Sequence, residues 1–425
     1  MQLRSIIIGG VLSVLAVITL QPLYFLAMAN LDHIISHDAM RSHFREAFMT
    51  GVLSAEAYPT NHLFTSGDRF TDCIALSVGM KPGDSPLISG IVAPFPTPSR
   101  HPCEHLQEFA SDPASVTIWQ PYYRYWHGYR IYYAPLASVL PIYAVKLVNL
   151  ALLLLAFTIF CWRSIALIGV AATIGLAAPI VLLTDFLRVW QVTPHAIGVI
   201  FILGGAALFG AAIRRLPDFL LLIIAAVLGS IFNFIDFLVN PPWQPMLLAF
   251  FVMSGMVDRK PGQRFTIAAL IVLSWFGGYG LTWFAKWVIA YFAATGFDVM
   301  SDVTSTVAFR LRGEHEMVRG LLFAATYKVV KSATLSWGLP FFIVLLVILF
   351  RFIRQASFRW QPFWHLAWTA LIPVFWFEVL SNHSQIHAVA SSRSAAASCG
   401  VLLASALVAS GAKSITISRM RIAIV

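Results

Sequence analysis

The amino-acid sequence predicts an all-α polytopic membrane protein with about ten transmembrane helices, a large extracytoplasmic first loop and amphipathic helices at the membrane interface. Of the 425 residues, 59% are hydrophobic and 11% are charged, and the mean hydropathy is +0.77. A soluble domain carries roughly 25% charged residues, so this composition excludes an ordinary soluble protein. The net charge of +10 is therefore assigned to cytoplasmic loops and to contacts with anionic membrane lipids, and no nucleic-acid partner is expected.

The first apolar run, residues 5–28, is long enough to cross the roughly 30 Å hydrocarbon core of a bilayer. It also exceeds the ~7–15 apolar residues of a signal peptide, so we expect an uncleaved span. Nine later runs are interpreted as further spans, at residues 135–160, 165–183, 194–212, 219–234, 243–257, 265–292, 337–353, 363–380 and 395–412.

The charges between these runs predict an orientation. If Arg4 is cytoplasmic, every connection on the same side is basic, as the positive-inside rule requires. Acids, histidines and amides collect in the other connections, so any chemistry is expected on the extracytoplasmic face. The chain then divides into a first span, an outer loop, a central bundle, a second outer loop with an amphipathic helix, and a C-terminal bundle, at residues 1–29, 30–133, 134–293, 294–336 and 337–425.

Residues 121–133 hold six tyrosines within the sequence PYYRYWHGYRIYY. An aromatic belt at the membrane–water interface explains most of the tyrosines. Arg124, Trp126 and His127 need a further explanation, because a charged group at the membrane surface is unfavourable unless it meets phosphate, carboxylate or water. We interpret these three residues as candidate substrate contacts.

The sequence SNHSQIH at residues 381–387 follows an apolar run. If it is helical, His383 and His387 share one face, with Asn382 beside them and Arg393 on a later turn. The alternatives are a metal-binding pair, hydrogen bonding to a phosphate or sugar, and interfacial capping. No third metal ligand stands at a clear spacing, so the sequence favours contact with a polar substrate.

Three further charged residues lie at predicted outer ends of spans. Asp236 pairs with a cation such as Arg188 or Lys286, or else it takes part in chemistry, and pairing is the simpler interpretation. Lys286 lies between two tryptophans and either extends to the interface or neutralises a lipid phosphate. The preceding glycines, Gly277, Gly278 and Gly280, predict close helix packing.

Two carboxylates in the outer block are candidate general bases. Asp32 directly follows the first span, and Asp72 lies in the sequence SGDRFTD. A general base needs one well-placed carboxylate near a hydroxyl, whereas loop aspartates usually cap helices or turns. Cys73 and Cys103 both lie in this outer block, and the sequence leaves undecided whether they form a disulfide. Residues 317–334 predict a helix lying in the interface, as either a lid over a lipid substrate or an anchor.

Several motifs together resemble a set of bacterial polytopic membrane proteins. They are FTD, RYWHGY, FIDFL, GYGLTWFAKW and NHSQIH, and they extend from Asp72 to the arginine at 393. The layout is also similar to the GT-C class of membrane glycosyltransferases, which move a sugar from a polyprenyl phosphate to an acceptor without a nucleotide donor.

This resemblance implies a multi-pass protein of the bacterial inner membrane, with both termini cytoplasmic. Its donor would be a polyprenyl-phosphate-linked sugar, its acceptor a cell-envelope glycan or lipid, and it would need no cofactor, with a divalent metal left open. The base maps onto Asp32 or Asp72, and the phosphate-binding cations onto Arg124, Arg188, Lys286 and Arg393. The sequence departs from many GT-C proteins because Asp32-His33 replaces their paired acids. The alternative is a transporter or flippase for an anionic lipid or solute, which predicts charges at the membrane midplane, broken spans and a repeat between halves.

Overall fold

A computed structural model describes residues 3–55, 68–96, 101–237, 240–294, 296–312, 318–335, 339–354 and 357–411. Most of these residues are helical. The helices are α1 (Leu3–Ala29), α2 (His37–Met49), α3 (Arg69–Ser77), α4 (Pro102–Ser111), α5 (Tyr129–Val139), α6 (Ile142–Ile168), α7 (Val170–Leu182), α8 (Thr193–Ala212), α9 (Asp218–Ile235), α10 (Trp243–Gly255), α11 (Pro261–Ala293), α12 (Val299–Arg312), α13 (Ala324–Leu335), α14 (Leu339–Ile353), α15 (Trp360–Ala367), α16 (Ile372–Val379), α17 (Ser381–Ile386) and α18 (Ala388–Ala409). Two short antiparallel strands, β1 (Phe95–Pro96) and β2 (Trp119–Gln120), pair with each other.

Six helices are long and apolar enough to cross a membrane: α1, α6, α8, α9, α11 and α18. They coincide with six of the ten predicted spans, and they are the pattern of a multi-pass membrane protein. The other four predicted spans are shorter or broken. Helices α7 and α10 have 13 residues each, which corresponds to roughly 20 Å at 1.5 Å per residue. Helix α14 has 15 residues, and the run at 363–380 is divided between α15, a 3₁₀ turn and α16.

Helices α9 and α11 cross at glycine contacts. A Cβ added to Gly278 would lie 2.0 Å from the carbonyl oxygen of Ala226, and one added to Gly229 would lie 2.0 Å from the carbonyl oxygen of Trp275. Only glycine permits two helix backbones to approach this closely. The prediction of close packing is therefore confirmed at Gly278, whereas a Cβ added at Gly277 or Gly280 would meet nothing within 4 Å. Helix α1 packs on both α9 and α11.

Helix α10 lies inside the bundle, against α6, α8, α11 and α18. Nearly all of its side chains are buried. An apolar helix of this kind is covered by protein rather than by lipid, so it has no need to match the bilayer thickness.

Between α1 and α6 the chain forms a cap with its own hydrophobic core. The Ser36 hydroxyl caps α2, and the Asp68 carboxylate caps α3 by accepting a hydrogen bond from the Thr71 amide at 3.1 Å. A disulfide between Cys73 and Cys103 joins α3 to α4, with the two Cα atoms 5.1 Å apart. The predicted span at 135–160 begins later than expected, because α5 packs into the cap core and Pro141 starts a new helix, α6.

Basic connections meet at one end of the bundle. Arg214 donates to the Gly255 carbonyl at 3.0 Å, and Arg259 binds Asp218 through two hydrogen bonds of 2.8 and 2.9 Å. The Arg359 amide donates to the carbonyl of Ala409 at 3.1 Å. The structure thus brings two predicted cytoplasmic connections together and places a third against the end of α18, with the cap at the opposite ends of α8, α9 and α11.

Two sequence predictions need correction. The aromatic belt is wrong for four of the six tyrosines, because Tyr123, Tyr125, Tyr129 and Tyr133 are buried in the protein core. The interface helix expected at 317–334 begins instead at Ala324, since the Glu378 carboxylate caps it there, and α12 precedes it. Residues 313–317, which include Glu314, His315 and Glu316 of that prediction, lie outside the described residues.

Candidate functional site

A cavity of about 580 Å³ opens between α12, α17 and the turn that precedes α5. Its polar lining is cationic or neutral: Arg124, Arg310, His383, His387, Ser305 and Thr306. Phe309 and Ile386 supply the apolar part. None of the lining residues within the described ranges is acidic. Two arginines and two imidazoles facing one space are suited to an anion such as phosphate.

One face of α12 organises the cavity. Asp302, Thr306 and Arg310 are spaced four residues apart, which places them on one side of a helix. The Arg124 guanidinium donates to the Thr306 hydroxyl at 3.0 Å and lies 3.5 Å from the Asp302 carboxylate. Trp283 donates its indole N–H to the carbonyl of Arg124 at 2.9 Å and so holds the turn in place. Arg310 is not among the residues predicted from the sequence, although the four-residue spacing of Asp302, Thr306 and Arg310 is visible there.

Arg310 determines which ring nitrogen of His383 carries the proton in the neutral imidazole. One guanidinium nitrogen of Arg310 lies 2.7 Å from His383 Nδ1, and the other donates to the Tyr125 hydroxyl. An arginine can only donate, so Nδ1 of a neutral His383 is the acceptor and the ring proton is on Nε2. His383 can therefore donate a hydrogen bond from Nε2. The His387 ring lies beside it, with 4.6 Å between ring centroids.

Two side chains of the short helix α17, one near each end, fix it to neighbouring segments. The Asn382 side chain donates to the Phe309 carbonyl at 2.5 Å. The Gln385 amide binds both the N–H and the carbonyl of Arg319, each at 2.9 Å. These contacts fix the short helix against α12 and against the segment that leads to α13, so the position of His383 follows from them.

A second polar cluster lies beyond His387. Arg393 forms two hydrogen bonds of 2.6 Å with Asp185 and lies 3.1 Å from His195 Nδ1. Because arginine only donates, His195 Nδ1 accepts and a neutral His195 carries its proton on Nε2. That nitrogen faces the Asp68 carboxylate at 3.7 Å.

His387 connects the cavity with this cluster. The charges of Arg310 and Asp68 both act on its imidazole, which also interacts electrostatically with His195. Partial burial, together with Arg310, lowers the pKa of His387 below its ordinary value, and Asp68 opposes the shift. Burial and the charge of Arg310 both favour the neutral imidazole. We treat the cavity and this neighbouring cluster together as the candidate site.

Comparison with protein-family models, with curated proteins and with solved structures found no match for this chain. Among the described residues, no group of three histidine, cysteine, aspartate or glutamate side chains is placed to hold a metal ion.

The predicted base Asp72 is fully buried in the cap. Its carboxylate lies 3.2 Å from Lys146 Nζ, and it accepts a hydrogen bond from the Thr193 amide at 3.2 Å. Burial raises the pKa of the Asp72 carboxyl, and the charge of Lys146 opposes that shift. Both side chains of the pair are 1% exposed, so this pair joins the cap to α6 and α8 and does not face the cavity.

The other predicted base, Asp32, lies in a 3₁₀ turn after α1. It pairs with His37 at 3.5 Å and with the buried Arg130 at 3.8 Å. Burial favours the protonated carboxyl, but hydrogen bonds from His37 and Ser89 and the charge of Arg130 outweigh burial and lower the pKa of Asp32. Asp32 does not line the cavity, and its charge serves to neutralise Arg130.

Arg130 also requires a glycine at position 79. The backbone of Gly79 has φ +70, and a Cβ there would lie 2.3 Å from the Arg130 guanidinium. We expect Gly79→Ala to lower the melting temperature, since the left-handed backbone alone costs about 1–2 kcal/mol and the Arg130 guanidinium, which donates to the Ser89 carbonyl at 2.8 Å, must also shift.

Gly83 provides the matched control. It has φ +79, and nothing lies within 4 Å of its added Cβ. Thermal unfolding of Gly83→Ala therefore measures the backbone strain alone. Equal losses in the two variants would show that the contact with Arg130 contributes nothing.

Three predicted substrate contacts lie inside the protein. Trp126 is fully buried and donates its indole N–H to the Thr282 carbonyl at 3.1 Å. Lys286 donates to the Ile91 carbonyl at 2.6 Å, with its ammonium 5.0 Å from the centre of the Trp126 ring. His127 donates from Nε2 to the Tyr122 carbonyl at 2.8 Å, and burial lowers its pKa well below the ordinary value. None of the three lines the cavity.

Asp236 and Arg188 also lie apart from the cavity lining. Asp236 is buried and accepts a hydrogen bond from the Tyr279 hydroxyl at 3.5 Å. Arg188 is exposed, in the connection that contains Asp185. Of the predicted residues, the structure therefore brings Arg124, His383 and His387 into one cavity. Arg393 lies in the adjacent cluster, and Asn382 binds the Phe309 carbonyl of α12 and so helps to fix α17.

Proposed function

We propose that this protein is an integral-membrane glycosyltransferase that moves a sugar from a polyprenyl-phosphate donor to a cell-envelope glycan or lipid. The observation that carries the proposal is the cavity itself: four basic side chains line it and none of its described lining residues is acidic, while the nearby Asp302 carboxylate pairs with Arg124 and the Asp68 carboxylate faces His195. Such an arrangement separates a place for the departing phosphate from a place for a base. The resemblance to the GT-C class agrees with this division.

The chemistry asked of the protein is limited. The oxygen of an acceptor hydroxyl forms a bond to the anomeric carbon, the bond from that carbon to the phosphate oxygen breaks, and the electron pair leaves on the phosphate. Arg124 and Arg310 would hold the phosphate, and His383 would donate to it from Nε2, which stabilises the developing charge. Polyprenyl phosphate is a good leaving group, so alignment of the acceptor is the main remaining task.

The hydroxyl proton needs an acceptor, and we assign that role to Asp68. Its side chain is 41% exposed and faces the Nε2 nitrogen of His195. His195 is in turn held by Arg393, which Asp185 orients. Asp68 is preferred to Asp32 and Asp72 because both of those carboxylates are committed to buried cations away from the cavity.

The site also supports an extracytoplasmic location. The disulfide between Cys73 and Cys103 lies in the cap, on the same side of the bundle as the cavity, and disulfides persist in oxidising compartments. We infer that the cap and the cavity face the outside of a bacterial inner membrane and that the basic connections face the cytoplasm. A flippase remains the alternative function, but no contact among the described residues of the site favours it.

The test of this function is transfer by the purified protein from a labelled polyprenyl-phosphate sugar to envelope acceptors. We expect Asp68→Asn to reduce the transfer rate by roughly 10²–10⁴-fold, the usual contribution of a general base. Asparagine caps a helix as well as aspartate, so the start of α3 is preserved. Binding of the polyprenyl phosphate should be retained.

Two further carboxylate variants complete the experiment. Asp38→Asn removes an exposed carboxylate on the cap and should leave the rate unchanged. Asp32→Asn tests the position implied by the GT-C resemblance. A large loss of rate with Asp32→Asn in a stably folded protein, and none with Asp68→Asn, would contradict the assignment. Lipid movement without any transfer would instead favour a flippase.

A further inference from the structure

A second cavity, of about 760 Å³, lies between α13 and α17. Helix α17 contributes to both cavities, because Gln385 lines the second while His383 and His387 line the first. The proposed transfer makes no use of the second cavity.

The second cavity is basic. Arg319, Lys328 and Lys331 line it, and none of its described lining residues is acidic. Lys328 and Lys331 are three residues apart on α13 and therefore lie on the same side of the helix. Glu378 reaches α13 from α16, but its two carboxylate oxygens accept hydrogen bonds from the amides of Phe323 and Thr326. This charge distribution selects an anion.

The same cavity is bordered by exposed apolar side chains. Leu321, Leu322 and Tyr327 are 72%, 80% and 65% exposed. Helix α14, which follows α13 closely in the chain, presents further exposed apolar residues, including Val344 and Phe350. Clusters of exposed apolar side chains mark contact with a membrane or with a partner. Beside three cations, they fit a molecule with one anionic end and long apolar chains.

We propose that this second cavity binds an anionic phospholipid of the surrounding membrane, with its phosphate among Arg319, Lys328 and Lys331 and its acyl chains along Leu321 and Leu322. The bound lipid has a structural consequence for the first cavity. The Gln385 side chain binds both the backbone N–H and the carbonyl of Arg319. A phosphate that immobilises Arg319 therefore also immobilises α17, the helix that carries His383. The proposal does not depend on glycosyl transfer.

The experiment uses the full-length protein in detergent, stripped of lipid and titrated with defined additives while its melting temperature is followed. An anionic phospholipid should raise the melting temperature, and a zwitterionic phospholipid with the same acyl chains should not. In Lys328→Gln/Lys331→Gln, the affinity for the anionic phospholipid should fall at least about tenfold, since each basic residue near a lipid surface contributes about 1 kcal/mol.

The control is Arg215→Gln/Lys260→Gln, which removes two exposed positive charges at the opposite end of the bundle and should keep the wild-type affinity. Equal losses in the two double variants, or an equal response to zwitterionic lipid, would overturn the proposal. A matching response to inorganic phosphate would reveal a plain anion site and also overturn it. Tighter binding of polyprenyl phosphate than of the phospholipid would assign this cavity to the donor instead.

Discussion

Replacing Arg310 with methionine is expected to reduce sugar transfer by at least about 100-fold in kcat/KM. Arg310 lines the cavity and holds both His383 and the Tyr125 hydroxyl. Its loss removes a cation from the leaving phosphate and also frees His383 to adopt the other tautomer, in which Nε2 no longer donates. Removal of one preorganised donor typically costs 10²–10³-fold in rate, and here two donors are affected together.

The forked guanidinium of Arg310 is expected to contribute to the transfer rate in addition to its charge. Arg310→Lys keeps a cation but cannot contact His383 and Tyr125 with two parallel N–H groups, so we expect an intermediate loss. Arg163→Met, at the end of the bundle remote from the cavity, is the control and should be as active as the wild type.

A double-variant cycle separates this mechanism from a general loss of structure. If Arg310 acts through His383, then Arg310→Met/His383→Ala should be little worse than the more damaging single variant, because residues that act as a unit are not additive. Independent, additive losses in kcat/KM at an unchanged melting temperature would contradict the link between the two side chains.

The long spans could be predicted because length and apolarity are local properties. Helices such as α8 and α9 fall within one or two residues of their predicted ends. The shorter apolar runs were harder, since a helix covered by protein has the same composition as one covered by lipid. Helix α10 illustrates this: its burial against six other helices depends on contacts that its own sequence does not contain.

The candidate site could be predicted only in part for a similar reason. His383 and His387 share a turn, so their proximity follows from helical spacing. Lys286 shows the opposite case, because its partner is the carbonyl of Ile91, far away in the chain. A polar residue near the end of a span can face a cavity or a buried carbonyl, and its own neighbours in sequence do not distinguish the two.

The buried pair of Asp72 and Lys146 predicts the largest effect on stability. Lys146→Met would leave the Asp72 carboxylate buried and uncompensated, which typically destabilises a protein by about 3–5 kcal/mol. Asp72→Asn would leave the ammonium in the same position, with the Val52 carbonyl at 3.5 Å as a weak neutral partner. Both single variants should therefore lose folded protein and, with it, activity, whatever the role of Asp72.

The double variant Asp72→Asn/Lys146→Met decides what that role is. It removes both charges, and the asparagine side-chain oxygen can still accept the hydrogen bond from the Thr193 amide. Replacement of a buried pair by neutral groups of similar size is often close to neutral for stability, so the melting temperature should largely recover. If Asp72 joins the cap to the bundle, transfer should recover with it, because the cavity is unchanged. A double variant that folds as stably as the wild type but transfers no sugar would instead make Asp72 the base, and Asp68 would lose that assignment.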